Sequence, residues 1–164
     1  MNWICYTRWE SPVGKLLLAA DERGLRQVHF LPTRTTLPLS DWVKDRSPLE
    51  EAIRQLGAYF QGELREFTLP LSLVGTEFQL QVWRKLCEIP YGEVASYGEL
   101  ARQLGNPKGA RAVGLANGSN PIPIIVPCHR VIGGNGSLVG YGGGLSIKKR
   151  LLSLEAPQRH LRLE

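Results

Sequence analysis

No apolar run in this 164-residue chain approaches the roughly 18 residues that a membrane-spanning helix needs, so no such helix is expected. Cysteine is sparse: Cys5, Cys87 and Cys128 are odd in number and far apart, which argues against a disulfide framework and for a reducing, cytoplasmic setting. Low-complexity sequence is absent, and the 43% hydrophobic fraction is ordinary for a globular protein. Met1 to Tyr6 lacks a basic start leading into an apolar segment, so no secretory signal is expected. Clustered metal ligands are also missing. Cys5 and His29 stand alone in the first half, and two isolated side chains fall short of a metal site.

Charge is unevenly distributed. Residues 1–75 carry nine Lys/Arg and nine Asp/Glu, whereas residues 76–164 carry eleven Lys/Arg and six Asp/Glu, the whole formal net charge of +5. A neutral half followed by a basic half suggests a polyanion meeting the second half, and charge alone fits a solvated basic face equally well. Two domains are expected, 1–75 and 76–164, with Gly75-Thr76 at the junction.

In the first half, Trp3–Trp9, Lys15–Ala20 and Leu25–Leu31 are rich in β-forming residues and are separated by turns at Ser11–Gly14 and Asp21–Gly24. They predict an antiparallel meander. Pro32–Asp45 has no apolar period and reads as a loop. Ser47-Pro48-Leu49-Glu50 predicts a helix start, with serine as N-cap, and Leu49, Ala52, Ile53, Leu56 and Phe60 form the face that covers the sheet until Gly62 ends it. Phe67–Val74 reads as extended, held to an edge by Pro70. No catalytic cluster is legible in this half.

The second half opens on a capping box, Thr76-Glu77-Phe78-Gln79, with Phe78, Val82 and Leu86 as a helical stripe. Ser96-Tyr97-Gly98-Glu99 is another. It begins a short helix, Tyr97–Leu104, followed by Gly105-Asn106 and a second helix over Pro107–Gly118 with Asn106 as its N-cap. Helix, tight turn, helix is the pattern of a helix-turn-helix. The second helix, with Lys108, Ala110, Arg111, Ala112 and Gly114, is small-sided and would admit close approach to a groove, Arg111 being the long cation of the row. Simple helix packing is the competing reading of such a helix.

Asn120–Ile132 is the centre of the chain. Its prolines forbid a helix interior, so Ile122–Val126 predicts a buried extended segment and Pro127 braces Cys128. As a lone Cys-His pair, Cys128-His129 would still read as packing around a small buried hydrophobe. The proline frame and the sequence downstream tip the reading to a thiol whose ionisation is favoured by its basic neighbours His129 and Arg130. Gly133–Gly136 predicts a hairpin turn between Val131–Ile132 and Leu138–Val139, and Gly142–Gly144 offers backbone N–H groups to a ligand. The last helix, Ser146–Glu155, is expected to bury Ile147, Leu151 and Leu154 and to present Lys148, Lys149 and Arg150 outward to phosphates. Glu155 at its end is a candidate to orient His129.

Pro127-Cys128-His129-Arg130-Val131, with Asn120-Pro121 before it and Gly140-Tyr141 and the glycines after it, resembles the O6-alkylguanine-DNA alkyltransferases. Tyr97-Gly98 and Ala110-Arg111-Ala112-Val113-Gly114 fit the same family, and the likeness is strongest over 76–155. The resemblance implies an α/β (α+β) chain: a small ribonuclease-H-like antiparallel sheet with a helix, then a mostly helical, winged-helix-like helix-turn-helix domain. It implies irreversible transfer of an alkyl group from O6 of guanine to Cys128, once per chain, with no cofactor. Some relatives hold a structural zinc in the first domain, but Asp21 and Arg26 stand near two of those ligand positions, so no metal is expected here. His129 would take the thiol proton through a water, Glu155 would fix its tautomer, and Tyr97 would donate to the leaving base. Arg111 would fill the gap left by the flipped base, with Lys108, Ala110, Ala112 and Gly114 along the DNA. Asn120, Tyr141, Gly142 and Arg130 would support the base pocket. Some relatives carry serine at Gly142, so any contact to the base there must come from the backbone. The implied partner is double-stranded DNA containing O6-alkylguanine, met by a monomer with room for side-by-side contacts on DNA and no membrane. Two other readings stay open: a non-catalytic helix-turn-helix DNA-binding protein, and a cysteine hydrolase.

Overall fold

The computed structural model describes residues 3–138, 140–157 and 162–163. The chain divides into two compact units, Met1–Val74 and Gly75–Glu164.

In the first unit, β1 (Cys5–Ser11), β2 (Gly14–Asp21) and β3 (Gly24–Phe30) form the antiparallel meander. A fourth strand, β4 (Val43–Lys44), pairs parallel to β1 and gives the order β3-β2-β1-β4. It lies inside the stretch expected to be a loop. Two residues are too few to carry a period; the pairing is made by the backbone bonds from Val43 N–H to the Ile4 carbonyl and from Asp45 N–H to the Tyr6 carbonyl. β2 is buried on both faces from Leu16 to Ala20, which explains its continuous apolar run. Helix α1 (Glu50–Phe60) sets Ala52, Ile53, Leu56 and Tyr59 into the core, while Phe60 is only half-buried. Ser47 does not cap it. Residues Ser47–Leu49 form a 3-10 turn, and Asp45 accepts from the Ser47 N–H instead. Residues 67–74 make no regular strand, touching the sheet through the Leu25–Pro70 backbone bond and the Leu25–Leu71 bridge. Gly24 is required there, because a Cβ would run into the Pro70 carbonyl.

In the second unit, α2 (Glu77–Leu86) and α3 (Tyr97–Gln103) both begin with complete capping boxes, at Thr76/Gln79 and Ser96/Glu99. Each box satisfies two otherwise orphaned N–H groups. Gly105 turns the chain at φ +78°. Helix α4 (Ala110–Gly118) starts three residues later than the sequence suggested. Gly109 bonds back to the Asn106 carbonyl, so the Asn106–Gly109 stretch is a separate turn and Asn106 is no N-cap. Helix α5 (Leu145–Glu155) closes the unit.

The expected hairpin around Gly133–Gly136 does not form. β6 (Val131–Ile132) pairs parallel with β5 (Ala95–Ser96), and β7 (Ser137–Leu138) pairs parallel with β8 (Arg162–Leu163). The glycine turn is present, Gly136 donating to Gly133, but its two arms serve different partners; Val139 lies outside the described residues.

Candidate active site

The β5–β6 pairing builds the site. Ala95 lies opposite Val131 and Ser96 opposite Ile132, so Tyr97, the next residue and the first of α3, is delivered to the neighbourhood of Cys128, three residues before Val131. Ile122–Val126 is buried but not extended. Val126 N–H donates back to Ile122, and Ile124 has φ +76°, a closed turn rather than a strand. Asn120 holds that turn: its Nδ2 donates to the Val126 carbonyl at 2.8 Å and its Oδ1 accepts from Ile122 N–H at 2.9 Å. Cys128–Arg130 is one 3-10 turn, all three residues buried. Within that turn the strand alternation that would point Cys128 and His129 to opposite faces does not apply.

His129 and Arg130 converge on Glu155 at the end of α5. His129 Nε2 lies 2.8 Å from Glu155 Oε2; Arg130 Nε lies 2.8 Å from Oε1 and its Nη2 3.1 Å from Oε2. Arg130 Nη1 also donates to the Ile89 carbonyl at 2.7 Å, and its guanidinium lies over the Tyr91 ring at 5.8 Å. Burial opposes the Glu155 charge, but His129 and Arg130 outweigh it and hold its pKa down to about 2. Glu155 is therefore a carboxylate that can only accept. His129 Nε2 must carry the hydrogen between them, leaving Nδ1 as the bare basic nitrogen. That Nδ1 is buried without a hydrogen-bond partner among the described residues. Burial also pushes the imidazole below its ordinary pKa, against Glu155, so it rests neutral and ready to accept a proton at neutral pH.

Cys128 is not held as a thiolate. Burial pushes its pKa up to about 11, against the Asn120 side chain and the Lys148 charge. The resting thiol is therefore protonated at neutral pH. The sequence expectation that His129 and Arg130 would keep the thiol ionised is corrected: one rests neutral, and the other is committed to Glu155.

Lys148 is the larger correction. It was expected on the outer face of the last helix, but it is fully buried and donates to the Val131 carbonyl at 2.6 Å and to Gly140 at 3.4 Å. Lys148, Leu151, Leu152 and Glu155 share the inward face, a spacing of three, four and seven residues, whereas Ile147 and Leu154 are only half-buried. Burial lowers its pKa to about 8, the Cys128 charge opposing.

The remaining predicted residues are dispersed. Lys108, Arg111 and Ala112 are exposed, Ala110 is half-buried, and Gly114 faces the Tyr97 ring rather than solvent. Tyr97 is half-buried, and burial followed by the Cys128 charge raises its pKa. The Tyr141 hydroxyl is buried and its pKa is likewise raised by burial. Gly142 is exposed with open space where a Cβ would stand. In the first unit Asp21 is tied to Arg26 at 3.0 Å and to Ser72 at 2.6 Å, and no group of three or more metal-ligating side chains occurs among the described residues. Two buried residues near Cys128 escaped the sequence reading. Lys148 could have been found by its spacing to Leu151 and Glu155. Asn117, whose Nδ2 lies 3.5 Å from the Cys128 carbonyl, shares a helix face with Val113 and Ala116.

Residues 77–157 match the family model described as 6-O-methylguanine DNA methyltransferase, DNA binding domain, and residues 4–73 match the ribonuclease-like domain of the same family. A methylated-DNA–protein-cysteine methyltransferase of Methanosarcina acetivorans is 56% identical over 151 residues, 92% of this chain and 97% of that protein. The crystal structure of the Mycobacterium tuberculosis O6-methylguanine methyltransferase is 51% identical, covers 96% of this chain and 95% of its own, and superposes with a TM-score of 0.88. That of Mycobacterium tuberculosis OGT in complex with DNA is also 51% identical, covers 93% of each chain and gives a TM-score of 0.87.

Proposed function

The chain belongs to the 6-O-methylguanine DNA methyltransferase family, and on that premise we propose that it repairs O6-alkylguanine in duplex DNA by moving the alkyl group onto Cys128. The observation that carries this reading is the buried His129–Glu155 pair beside a buried thiol, with the basic imidazole nitrogen left unbonded among the described residues.

The thiol proton passes to His129 Nδ1, directly or through a water, as the sulfur–carbon bond forms in line with the breaking carbon–O6 bond. The electron pair goes to O6 and the purine ring. Glu155, already ionised, stabilises the imidazolium, and Arg130 keeps Glu155 ionised. Lys148 supplies the positive charge that favours the emerging thiolate. Burial keeps the resting thiol protonated, which suits a sulfur that works once. Tyr97 donates to the leaving base, and backbone N–H groups of the 142–144 loop share that charge.

O6 is inaccessible in stacked DNA, so the nucleotide must be extruded at a cost of a few kcal/mol. Arg111, exposed on α4, is suited to fill the vacated stack, and Lys108 and Ala112 lie on the same exposed surface. A relative solved in complex with DNA supports DNA as the partner. No helix of the described residues is long and apolar enough to cross a membrane. A DNA-containing, reducing compartment such as the cytoplasm suits three free cysteines.

The test is a count. With a tenfold excess of O6-methylguanine duplex, each chain should restore one guanine and stop. Multiple turnovers on an ester or amide would favour the hydrolase reading, and no restoration by folded protein would favour the non-catalytic one.

A further inference from the structure

Leu115 is 71% exposed, the most exposed large hydrophobic side chain among the described residues; the others, Val43 and Val74, lie in the first unit. A lone apolar residue at a surface is ordinary. What sets Leu115 apart is the helix that carries it. The other exposed positions of α4 are Arg111, Ala112 and Gly118, so one leucine stands above a face that otherwise offers a methyl group, a hydrogen and a guanidinium. Arg111, Leu115 and Gly118 follow at intervals of four and three residues and share one side of the helix.

That side is firmly mounted. Val113, Ala116 and Asn117 are buried beneath it, and the Trp83 indole N–H donates at 2.8 Å to the carbonyl of Ala116, the residue next to Leu115. The Leu115 carbonyl accepts from the Ser119 N–H at 3.1 Å and from its hydroxyl at 2.9 Å, closing the last turn. Leu115 is thus presented to solvent on a fixed element.

A face of this kind fits the minor groove of DNA better than the major. Ala112, Leu115 and Gly118 have no side-chain donor or acceptor with which to read base edges, which suits a protein that must meet its lesion in any sequence. The minor groove is only about 6 Å wide, so a helix enters by widening it, and apolar wedges that partly unstack a base step are a recurrent means. Along α4, Leu115 stands about 6 Å beyond Arg111, less than two base-pair steps.

We propose that Leu115 is such a wedge: its isobutyl group enters the minor groove one helical turn from Arg111, loosens the stack beside the lesion and so lowers the cost of extruding the nucleotide, while Arg111 fills the gap afterwards. The inference rests on the reading of α4 as the helix that docks on DNA. An apolar group opens the stack and a charged one occupies the space.

The experiment compares three substrates: O6-methylguanine in a duplex, the same lesion in a single strand, and free O6-benzylguanine. For Leu115→Ala the duplex rate, taken relative to the free-base rate, should fall about tenfold, the scale set by one leucine side chain losing its apolar contact. The single-strand rate should fall less than about twofold, because it has no paired stack to open. Leu115→Met should restore most of the duplex rate, and Leu115→Gln, similar in length but polar, should not. Binding to the duplex gives a second readout, taken in a Cys128→Ala background so that no transfer follows. Adding Leu115→Ala should leave the slope of log affinity against log salt unchanged, since leucine neutralises no phosphate. It should also remove most of the fluorescence gain of a 2-aminopurine placed beside the lesion. An unchanged duplex-to-free-base ratio, equal slowing on all three substrates, full activity of Leu115→Gln, a flattened salt slope or an undiminished fluorescence gain would overturn the proposal and leave the alkyl-transfer reading standing. A parent protein that takes no alkyl group from the duplex would remove that reading, and the inference with it.

Discussion

The two units bury different things. In the first, the buried polar residues are Thr7, Gln55 and Ser72, all uncharged. Gln55 is typical: its amide nitrogen donates to Glu51 and Thr68, and its oxygen accepts from the Thr68 N–H. In the second, Asn117, His129, Arg130, Lys148 and Glu155 are all buried. Burying charge is costly even when it is paired, and hydrophobic replacements of such clusters are often as stable or more so. A unit that keeps two cations, a carboxylate and an imidazole around one thiol is holding chemistry at the expense of stability. The first unit is an apolar sheet and helix, and among its described residues no buried side-chain polar atom lacks a hydrogen-bond partner.

Substitutions that attack this contrast should differ in scale. The largest effect is at the sulfur. Cys128→Ala should abolish alkyl transfer while duplex affinity persists, whereas Cys5→Ala, buried in the first sheet, should leave the transfer rate unchanged; mass and gel-shift measurements check both. A slowed Cys5→Ala would mean that the units do not divide the work as described.

Glu155→Gln comes next. It leaves Arg130 buried without its counter-charge, so the second unit should lose about 3–5 kcal/mol. Transfer should slow by about 10²–10⁴ as the imidazolium loses its partner. Denaturant unfolding followed segment by segment should find the first unit unaffected. An unchanged rate would remove Glu155 from the relay, and a uniform loss would contradict the contrast between the units.

Arg111→Ala should slow repair of a duplex about tenfold, because only a duplex requires extrusion, and should leave the rate with free O6-benzylguanine unchanged. Equal slowing on both substrates would reject the inserted side chain. In the first unit, Arg54, paired with Glu51 at the surface, should be replaceable by alanine without effect on either substrate.

Acid sharpens the same contrast with the smallest effect. Burial holds the folded His129 below 6.5, so the unfolded chain takes its proton first and the second unit weakens as pH falls from about 6.5. Glu155, depressed from 4.5 to about 2, contributes fully above about 4.5 and loses that contribution on the way to about 2. In the first unit Asp21, which Ser72 and the Arg23 and Arg26 donors hold below its usual 3.8 against burial, begins to matter only below that value. His29 carries a shift of the same sign as His129, but its ring is only half-buried. Amide exchange, corrected for its intrinsic pH dependence, should therefore show α5 and β6 opening before β1–β3 between pH 7 and 5. Simultaneous opening would contradict the difference between the units.

Much of this was legible in the sequence, for identifiable reasons. The meander and the capping boxes at Thr76 and Ser96 are local, and local chemistry decides them. Cys128, His129 and Glu155 were found because two are adjacent and the third ends a periodic helix. Long-range choices were not legible. Nothing in Val131–Ile132 reveals that its partner is Ala95–Ser96 rather than the strand across the glycine turn. Asn106-Pro107 looks like a helix start, but the turn closed by Gly109 delays the helix. Lys148 was misplaced because lysine is read as surface, and only tertiary packing supplied the Val131 and Gly140 carbonyls that make its burial tolerable.

The central claim is that the buried Cys128 sulfur is the atom that receives the alkyl group and keeps it. The protein, incubated with O6-methylguanine duplex, should gain the mass of one methyl group per chain, and peptide mapping should find all of it on Cys128. A methyl on Cys5 or Cys87, or a repaired duplex with no mass gain, would contradict the account.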